Sequence, residues 1–564
     1  MKMGLVVKQM KTVETLGSAT VICTDKTGTL TENKMVLSEL FFAGKIYHEL
    51  EIGELNSIPL GRLLLDAMVL NNDAVMVAQD YYLGDSTEVA LKMAVSRQGL
   101  NLPDGIRLAE IPFNSNRKMM TTFHKLSGKI IAFTKGAPEM LLPRCPLADQ
   151  LGLKALVQAM TDKGQRTLAF AYRYYDHLPE HPNSITDEHD LVFLGVVGLK
   201  DPVREGVKQS VSECRNAGIV PVMITGDHLG TARSIALQTG IIQGEKELCI
   251  TGEELGKMDE DLLLSKIQKV RVYARVSPDQ KLRIVHALQK SGNFVAMTGD
   301  GINDAPSLVA ANIGIAMGIS GTDVAKAAAD MILLDDNFVT IVRAVEAGRK
   351  VYDNILKLIK YLLTTNSSEL LTLLLGPMIG LPLALLPIHI LWLNLISDGL
   401  PALSLSFEKA DENIMKRPPR DPQDQIFSMP RTFHMLWVGI MMAGVAISVQ
   451  ALAFVMHLHW QTIVFNVLCL SQMAHALSVR SESRTIFKLG FWSNPMMVLS
   501  VLVIILGQFM ITFIPALQKI FHLEALNLQE LIIVASASMS VLLVVELAKI
   551  FVKNRSSFSL SEDQ

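Results

Sequence analysis

The chain has few of the residues that would tie it to an oxidising compartment or a structural metal. Its 564 residues include five cysteines, Cys23, Cys145, Cys214, Cys249 and Cys469, with no CxxC pair. That spacing speaks against a disulfide framework or a zinc site, and ordinary buried thiols are the simpler reading. Charged residues make up 19% of the chain and the net charge is −3, so no basic field points to nucleic acid. No GxxxxGK[ST] segment occurs, which excludes a P-loop enzyme. The first residues hold no apolar run of signal-peptide type. Internal repeats and low-complexity tracts are also lacking, and the one Pro/Arg-rich linker is KRPPRDP at 416–422.

Long hydrophobic runs, by contrast, are present, and they divide the chain. The mean hydropathy of +0.32 leans toward a membrane protein, and the length allows about four domains of roughly 150 residues. Up to about residue 350, strand-like runs alternate with helical stretches and Gly/Pro turns, as in an α/β protein. Six apolar spans then follow, near 356–379, 385–406, 434–457, 462–480, 495–516 and 529–550. Each is about 20 residues long, enough to cross roughly 30 Å of hydrocarbon. Basic residues gather before the first span (Arg343, Arg349, Lys350, Lys357, Lys360), after the second (Lys409, Lys416, Arg417, Arg420, Arg431), after the fourth (Arg480, Arg484, Lys488) and in the tail (Lys549, Lys553, Arg555). The intervening loops hold only Lys519. Basic loops stay inside, so an integral, multi-pass protein is expected, with both ends of the membrane block and the domains before it in the cytoplasm.

Chemistry first enters at ICTDKTGTLT, residues 22–31. Residues 18–24 read as a buried strand, and Asp25 follows at its C-terminal end, where open α/β sheets bind ligands. The turn after it can aim backbone N–H groups at an anion. Alone, such an aspartate is as often a helix cap. Three later segments add to it: PVMITGD at 221–227, RVSPDQK at 275–281 and NFVAMTGDGINDAP at 293–306. Together they supply a carboxylate nucleophile, a hydroxyl for phosphate oxygens, a lysine for transferred charge and carboxylates for Mg²⁺, which are the parts of phosphoryl transfer.

DKTGTLT at 25–31, TGD at 225–227 and TGDGINDAP at 298–306 resemble the motifs of the P-type ATPases, which are built on the haloacid-dehalogenase-like fold. DPVR at 201–204 resembles that family's hinge, with Val203 in place of a proline. The resemblance implies that Asp25 is the phosphorylated nucleophile. It implies that Mg²⁺ is held at Asp25, Thr27 and Asp300. It assigns the phosphoryl group to Thr225 and Lys281, with Asn303 and Asp304 completing the site. Gly226, Asp227 and Arg275 join the nucleotide contacts. Related phosphatases usually carry a second aspartate two residues after the nucleophile. Thr27 stands there instead and cannot act as a base at neutral pH. A persistent aspartyl-phosphate, able to couple to a conformational change, is therefore expected.

Residues 37–195 separate the nucleophile from the rest of the sheet and read as an inserted domain. GDSTEVAL (84–91), PFNSNRKMM (112–120), TKGAPE (134–139) and GQRTLAFA (164–171) offer an aromatic and scattered cations, which suit a purine and its phosphates. Each could equally be core or solvated charge. The resemblance implies an α+β nucleotide-binding domain, with Phe113 stacking on adenine and Glu88, Lys118, Lys135, Gly136 and Arg166 around ATP. The expected organisation is the start of the phosphorylation domain at 1–36, the nucleotide domain at 37–195, the rest of the phosphorylation domain at 196–345, and an all-α membrane domain of six helices at 346–564.

Ionisable groups inside spans are costly and default to functional. The first span carries Asn366 and Glu369, and the second Asn394, Ser397 and Asp398, each set read as one helical face. Such oxygen ligands suit Ca²⁺, although interhelical hydrogen bonding is the plainer role. Glu546, close to Lys549, reads as an interfacial charge. TTNSSE (364–369) and NLISDGLPA (394–402) resemble the ion-binding helices of calcium pumps of the sarcoplasmic, secretory-pathway and plasma-membrane groups. Gln472 stands where the sarcoplasmic type has a glutamate. One transported Ca²⁺ per cycle, or Mn²⁺ as the alternative, is the expectation.

Only 24 residues precede Asp25, whereas the family carries an actuator domain and further spans before this motif. Thr251-Gly252-Glu253 spells the actuator's TGE but falls after the TGD segment, so by order it is a decoy. The sequence therefore reads as the C-terminal portion of an ATP-driven cation pump, with a separate chain carrying the front half as a conceivable partner. A non-transporting remnant or interaction protein that still binds ATP is the alternative. A membrane-anchored phosphatase is the weaker third, because of Thr27.

Overall fold

The computed structural model describes residues 4–78, 81–100, 105–126, 128–244, 247–420, 427–482 and 484–562. Asp421 and Pro422 of the linker lie outside them. The side chains of Lys553 and Arg555 are likewise outside what is described. By contact density the chain forms two units.

The first unit holds two large sheets and a two-stranded one, Val75–Ala78 with Tyr81–Leu83. In the eight-stranded one the order is Leu5–Val7, Met331–Leu333, Ile313–Met317, Val295–Gly299, Val21–Thr24, Val220–Thr225, Val270–Ala274, Leu248–Thr251. Only the Leu5–Val7 edge strand is antiparallel; every other pairing is parallel. Val21–Thr24 is buried along its whole length, as expected for a strand covered by helices on both faces. The helices are drawn onto the sheet by apolar stripes. Helix Pro278–Lys290, for instance, buries Ile284, Val285, Ala287 and Leu288 against Val21, Cys23, Val295 and Met297. Ser277 caps that helix and Pro278 opens it, a local signal that places Lys281 in its first turn.

The second sheet has seven antiparallel strands, in the order Lys45–His48, Val36–Phe42, Val192–Lys200, Arg166–Tyr175, Lys129–Gly136, Met119–Leu126, Ile106–Asn114. Helices Pro59–Leu70 and Ser86–Ser96 cover one face, packing on Phe133, Phe170, Leu194 and Val197. A smaller core around Met119, Leu141, Cys145, Met160 and Ala171 covers the other. The Thr251 segment has a local role: its hydroxyl caps helix Gly252–Lys257, while Glu253 is exposed and paired with Lys257.

The second unit is helical. Five helices among the described residues are long and apolar enough to cross a membrane: Pro387–Leu405, Arg431–Val455, Trp460–Val479, Pro495–Phe513 and Leu528–Phe551. The span expected at 356–379 is the later part of the 41-residue helix Phe338–Met378. It falls outside that group, since the polar run at 364–369 lowers its hydropathy. Helix Pro387–Leu405 is broken by a π turn at Leu393–Ser397, where the Asp398 N–H donates to the Leu393 carbonyl at 2.7 Å. Such turns recur at functional positions because they shift the side-chain register within a helix.

Two buried carboxylates tie the helix ends together. Glu546, read as an interfacial charge beside Lys549, is buried and held by several partners: it accepts from Ser478 Oγ at 2.5 Å and from the Ile486 N–H at 2.8 Å, and meets Lys549 Nζ at 2.7 Å. Arg480, fully buried, forms a bidentate pair with Glu408 at 2.9 and 3.1 Å, and Asn494 donates to the same carboxylate. Removing one partner of such a pair leaves a buried charge alone and costs about 3–5 kcal/mol. Glu408→Ala is therefore expected to lower the thermal midpoint of the detergent-solubilised chain sharply. Glu408→Leu combined with Arg480→Met should recover most of the loss. Equal midpoints for Glu408→Ala and the native chain would refute this account.

Candidate functional site

Asp25 stands at the C-terminal end of the central strand Val21–Thr24, flanked by Val220–Thr225 and Val295–Gly299. Its backbone N–H donates to Thr298 Oγ1 at 3.1 Å. Its Oδ1 accepts from the Lys26 N–H at 2.6 Å and its Oδ2 from Lys281 Nζ at 2.9 Å. Lys281 also reaches Asp304 Oδ1 at 2.8 Å. Burial works against the lysine's charge, yet Asp25 and Asp304 together hold its pKa above the usual lysine value.

Asp25, Asp300 and Asp304 bring carboxylate oxygens within 4.8 Å of one another. Burial first, then the charges of Asp25 and Asp304, push the Asp300 carboxyl above its ordinary pKa; Lys281 only partly offsets them. The neighbouring Lys26 is already committed to Asp227 at 2.5 Å. Among the described residues, the three carboxylates thus share the single charge of Lys281, an excess that a divalent cation would balance. Asp304 is the more committed, taking three donors: Oδ1 serves Lys281 and Oδ2 accepts from the N–H groups of Asp300 and Gly301. Asp25, with two donors, and Asp300, with Thr27 in the same loop, keep lone pairs that could hold Mg²⁺.

The other residues named from sequence surround this point unevenly. Thr225 is buried, and its hydroxyl accepts from the Asp227 N–H at 3.2 Å. Gly226, Asn303 and the Arg275 side chain are exposed. Arg275 adopts a left-handed backbone (φ 53°), and its N–H donates to the Asp227 carbonyl at 3.0 Å. Arg204, read from sequence only as part of a hinge, belongs to the site's frame. Its guanidinium donates to the carbonyls of Gly28 and Thr31 at 2.8–3.1 Å, while Asp201 accepts from Thr31 Oγ1 at 2.6 Å. The two together clamp the loop that follows Asp25.

Glu88, Phe113, Lys118, Lys135, Gly136 and Arg166 all line one cleft of about 850 Å³ on the seven-stranded sheet. Phe113 leaves 63% of its surface exposed there, an aromatic face free to stack. A Cβ on Gly136 would sit 2.7 Å from the Lys118 carbonyl, so only glycine lets these strands approach. These cations are held by neighbouring groups. Lys135 is buried, pairs with Glu88 and donates to the Asn71 carbonyl at 2.7 Å. Burial pulls its pKa below the ordinary value although Glu88 opposes the shift. Lys118 pairs with Glu139 at 3.1 Å, and Arg166 donates to Thr87 Oγ1 at 3.1 Å.

Among the helices of the second unit, Glu369 and Asp398 are buried. Gln472 Nε2 donates to Glu369 at 2.6 Å and Asn394 Nδ2 at 3.3 Å. Ser397 Oγ donates to Gln472 Oε1 at 3.1 Å. Asp398 accepts from Tyr361 at 2.9 Å and Thr365 at 2.7 Å. Asn366 does not join them: it is exposed, and its amide donates to the Leu362 carbonyl of its own helix. The inward face instead runs Tyr361, Thr365, Glu369, at steps of four that the sequence displays. That spacing, more than three-apart pairing, was the signal for this face.

Comparison with known proteins adds a relationship. Residues 61–206 match the family model "P-type ATPase, cytoplasmic domain N", and residues 382–551 match "Cation transporting ATPase, C-terminus". A "Calcium-transporting ATPase 1" of Bacillus cereus is 41% identical over 98% of this chain and 65% of its own length. A Bacillus subtilis "Calcium-transporting ATPase" is 38% identical over 93% and 63%. "Calcium-transporting ATPase type 2C member 1" of Bos taurus is 35% identical over 97% and 60%. The chain thus spans a little under two thirds of these relatives.

The Asp300 carboxyl holds its proton more tightly in the folded chain than in the unfolded one. Its contribution to stability therefore falls as pH rises from the ordinary carboxylate pKa toward the raised one. Asp300→Asn, which removes one crowded charge, is expected to raise the thermal midpoint in chelator at neutral pH and to abolish the upward shift that Mg²⁺ gives the native chain. A Mg²⁺ shift that survives the substitution would place the cation elsewhere.

Proposed function

The chain belongs to the P-type ATPases, and from that membership we propose that it takes part in ATP-driven cation transport through a phosphorylated Asp25. The observation that carries the reading is the meeting of Asp25, Asp300, Asp304 and Lys281 at the C-terminal edge of the parallel sheet. It is supported by the cleft that gathers Phe113 with Glu88, Lys118, Lys135 and Arg166.

On this reading ATP lays its base against Phe113, and Asp25 Oδ attacks the γ-phosphorus as ADP leaves. Lys281 neutralises charge on the transferring group, and Thr225 supplies a hydroxyl beside it. Mg²⁺, held by Asp25, Asp300 and the Thr27 carbonyl, would offset the charge that phosphate and carboxylate share. Thr27 leaves no general base beside the acyl phosphate, so the intermediate lasts. The domains are those of a haloacid-dehalogenase-like phosphorylation domain with the nucleotide domain inserted near 37–195, and the Phe338–Met378 helix is the sixth span. The distribution of basic loops supports a cytoplasmic side for the catalytic domains.

The transported ion is a divalent cation, Ca²⁺ or Mn²⁺, bound by Glu369, Asp398, Asn394 and Ser397, with Gln472 as an added oxygen ligand. The names of the relatives favour Ca²⁺. Neutral Gln472 beside Glu369 supports a single site, because two divalent ions need more negative charge than two carboxylates provide.

Acid-quenched labelling with γ-labelled ATP tests the reading. The label is expected on the native chain and absent from Asp25→Asn. A label that persists in Asp25→Asn, or none on a folded native chain, would defeat it. Separately, Phe113→Ala should weaken ATP binding by about 1–3 kcal/mol, the usual worth of an aromatic stack on a base, as read by titration calorimetry. Unchanged affinity would move the base away from Phe113.

A further inference from the structure

We propose that the second unit holds a site for the headgroup of an anionic phospholipid, at the end of the spans where the basic loops gather. It rests on the membrane placement above, and not on phosphorylation or transport. The site is a cavity of about 590 Å³ lined by Lys360, Arg431, His434, Trp437, His475 and Lys549, among others. These come from four helices: Phe338–Met378, Met429–Val455, Trp460–Val479 and Leu528–Glu562.

Three cations converge there with one lining carboxylate, Glu482, whose side chain is exposed and meets Lys360 at 3.1 Å. Lys549 is held from behind by the Ser478 carbonyl at 2.5 Å and by Glu546. His475 is fully buried, and both its ring nitrogens lack a hydrogen-bond partner although it lines the cavity. A buried unpartnered imidazole is costly, and an occupant's acceptor oxygen would engage the one N–H that the neutral ring carries. Phosphate oxygens fit that donor set, with a guanidinium and ammonium groups beside it.

The surroundings select a lipid over a free anion. From the cavity an exposed apolar stripe, Phe433, Leu436 and Ile440, runs toward the middle of its span. A second stripe, Leu547, Leu543 and Met539, does the same on the last helix. A headgroup in the cavity would leave two acyl chains alongside these stripes, and basic pockets between spans at the cytoplasmic side are the usual place for anionic headgroups. The cavity is linked to buried Asp398 through two rings. The His475 ring stacks on Tyr361 with centroids 6.0 Å apart, and Tyr361 donates to Asp398. An occupant that fixes His475 would thereby fix one wall of the Asp398 site.

Native mass spectrometry of the full chain, in micelles carrying equal phosphatidylglycerol and phosphatidylcholine, tests this. Selective retention of phosphatidylglycerol is expected. Arg431→Gln should weaken it about fivefold, the worth of one cation near a membrane surface. Ala548→Leu, which fills the cavity and leaves every charge in place, should abolish it. Lys519→Gln, at the other end of the spans, should retain it. Size-exclusion elution and thermal midpoints identify any variant that has not folded, and Ala548→Leu and Arg431→Gln fail for different reasons if they fail. Equal retention of the two lipids, or retention unchanged by Ala548→Leu, would overturn the proposal. Displacement of the lipid by millimolar inorganic phosphate would also overturn it, by assigning the cavity to a free anion.

Discussion

A carboxylate at the end of a fully buried strand needs a counter-charge, and much of the first unit is arranged around that need. Val21–Thr24 can be central only because helices cover both faces of the sheet. Centrality puts Asp25 where the chain enters from two neighbouring strands, so side chains from distant segments can converge on it. Lys281 answers its charge from the first turn of a capped helix, and Asp304 holds that lysine from the opposite side. The balance is incomplete, and the raised Asp300 carboxyl records the excess. A site that is over-negative by design is one that binds cations together with phosphates.

The helical unit solves a similar problem with neutral groups. Glu369 is met by two amides, and Asp398 by two hydroxyls. Neutral donors satisfy a buried carboxylate without locking it in an ion pair, so an incoming cation competes with hydrogen bonds rather than with a fixed charge. The π turn at Leu393–Ser397 belongs to the same arrangement: it turns Ser397 toward Gln472 while Asp398 faces Tyr361. Elsewhere in that unit, permanent salt bridges such as Arg480–Glu408 do the structural work at helix ends.

Reading residues in order succeeded where the signal was local. The strand before Asp25 and the helix start that carries Lys281 follow from adjacent residues. It fell short where a side chain had a choice of partners. Lys118 and Lys135 look like phosphate-seeking cations until Glu139 and Glu88 are found beside them. Asn366 shares a face with Glu369 by simple spacing, yet the packing of neighbouring helices turns it outward and brings Tyr361 and Thr365 in. Glu546 is close to Lys549 in sequence, as an exposed pair would be, but helix Trp460–Val479 and the Ile486 N–H bury it.

By itself the sequence determined the chemistry that is available. It shows an aspartate after a strand-like run with threonine two residues on, no P-loop segment, and carboxylates inside apolar stretches, because each is a matter of residue type and short spacing. Only the tertiary structure decided which of these groups are free and which are held. Asp25 and Lys281 are 256 residues apart, and Glu369 and Gln472 are 103 apart. No local preference specifies such a pairing. It emerges when burial of the apolar faces has brought the strands and helices together, and charges and hydrogen bonds are then satisfied by whatever neighbours that packing supplies.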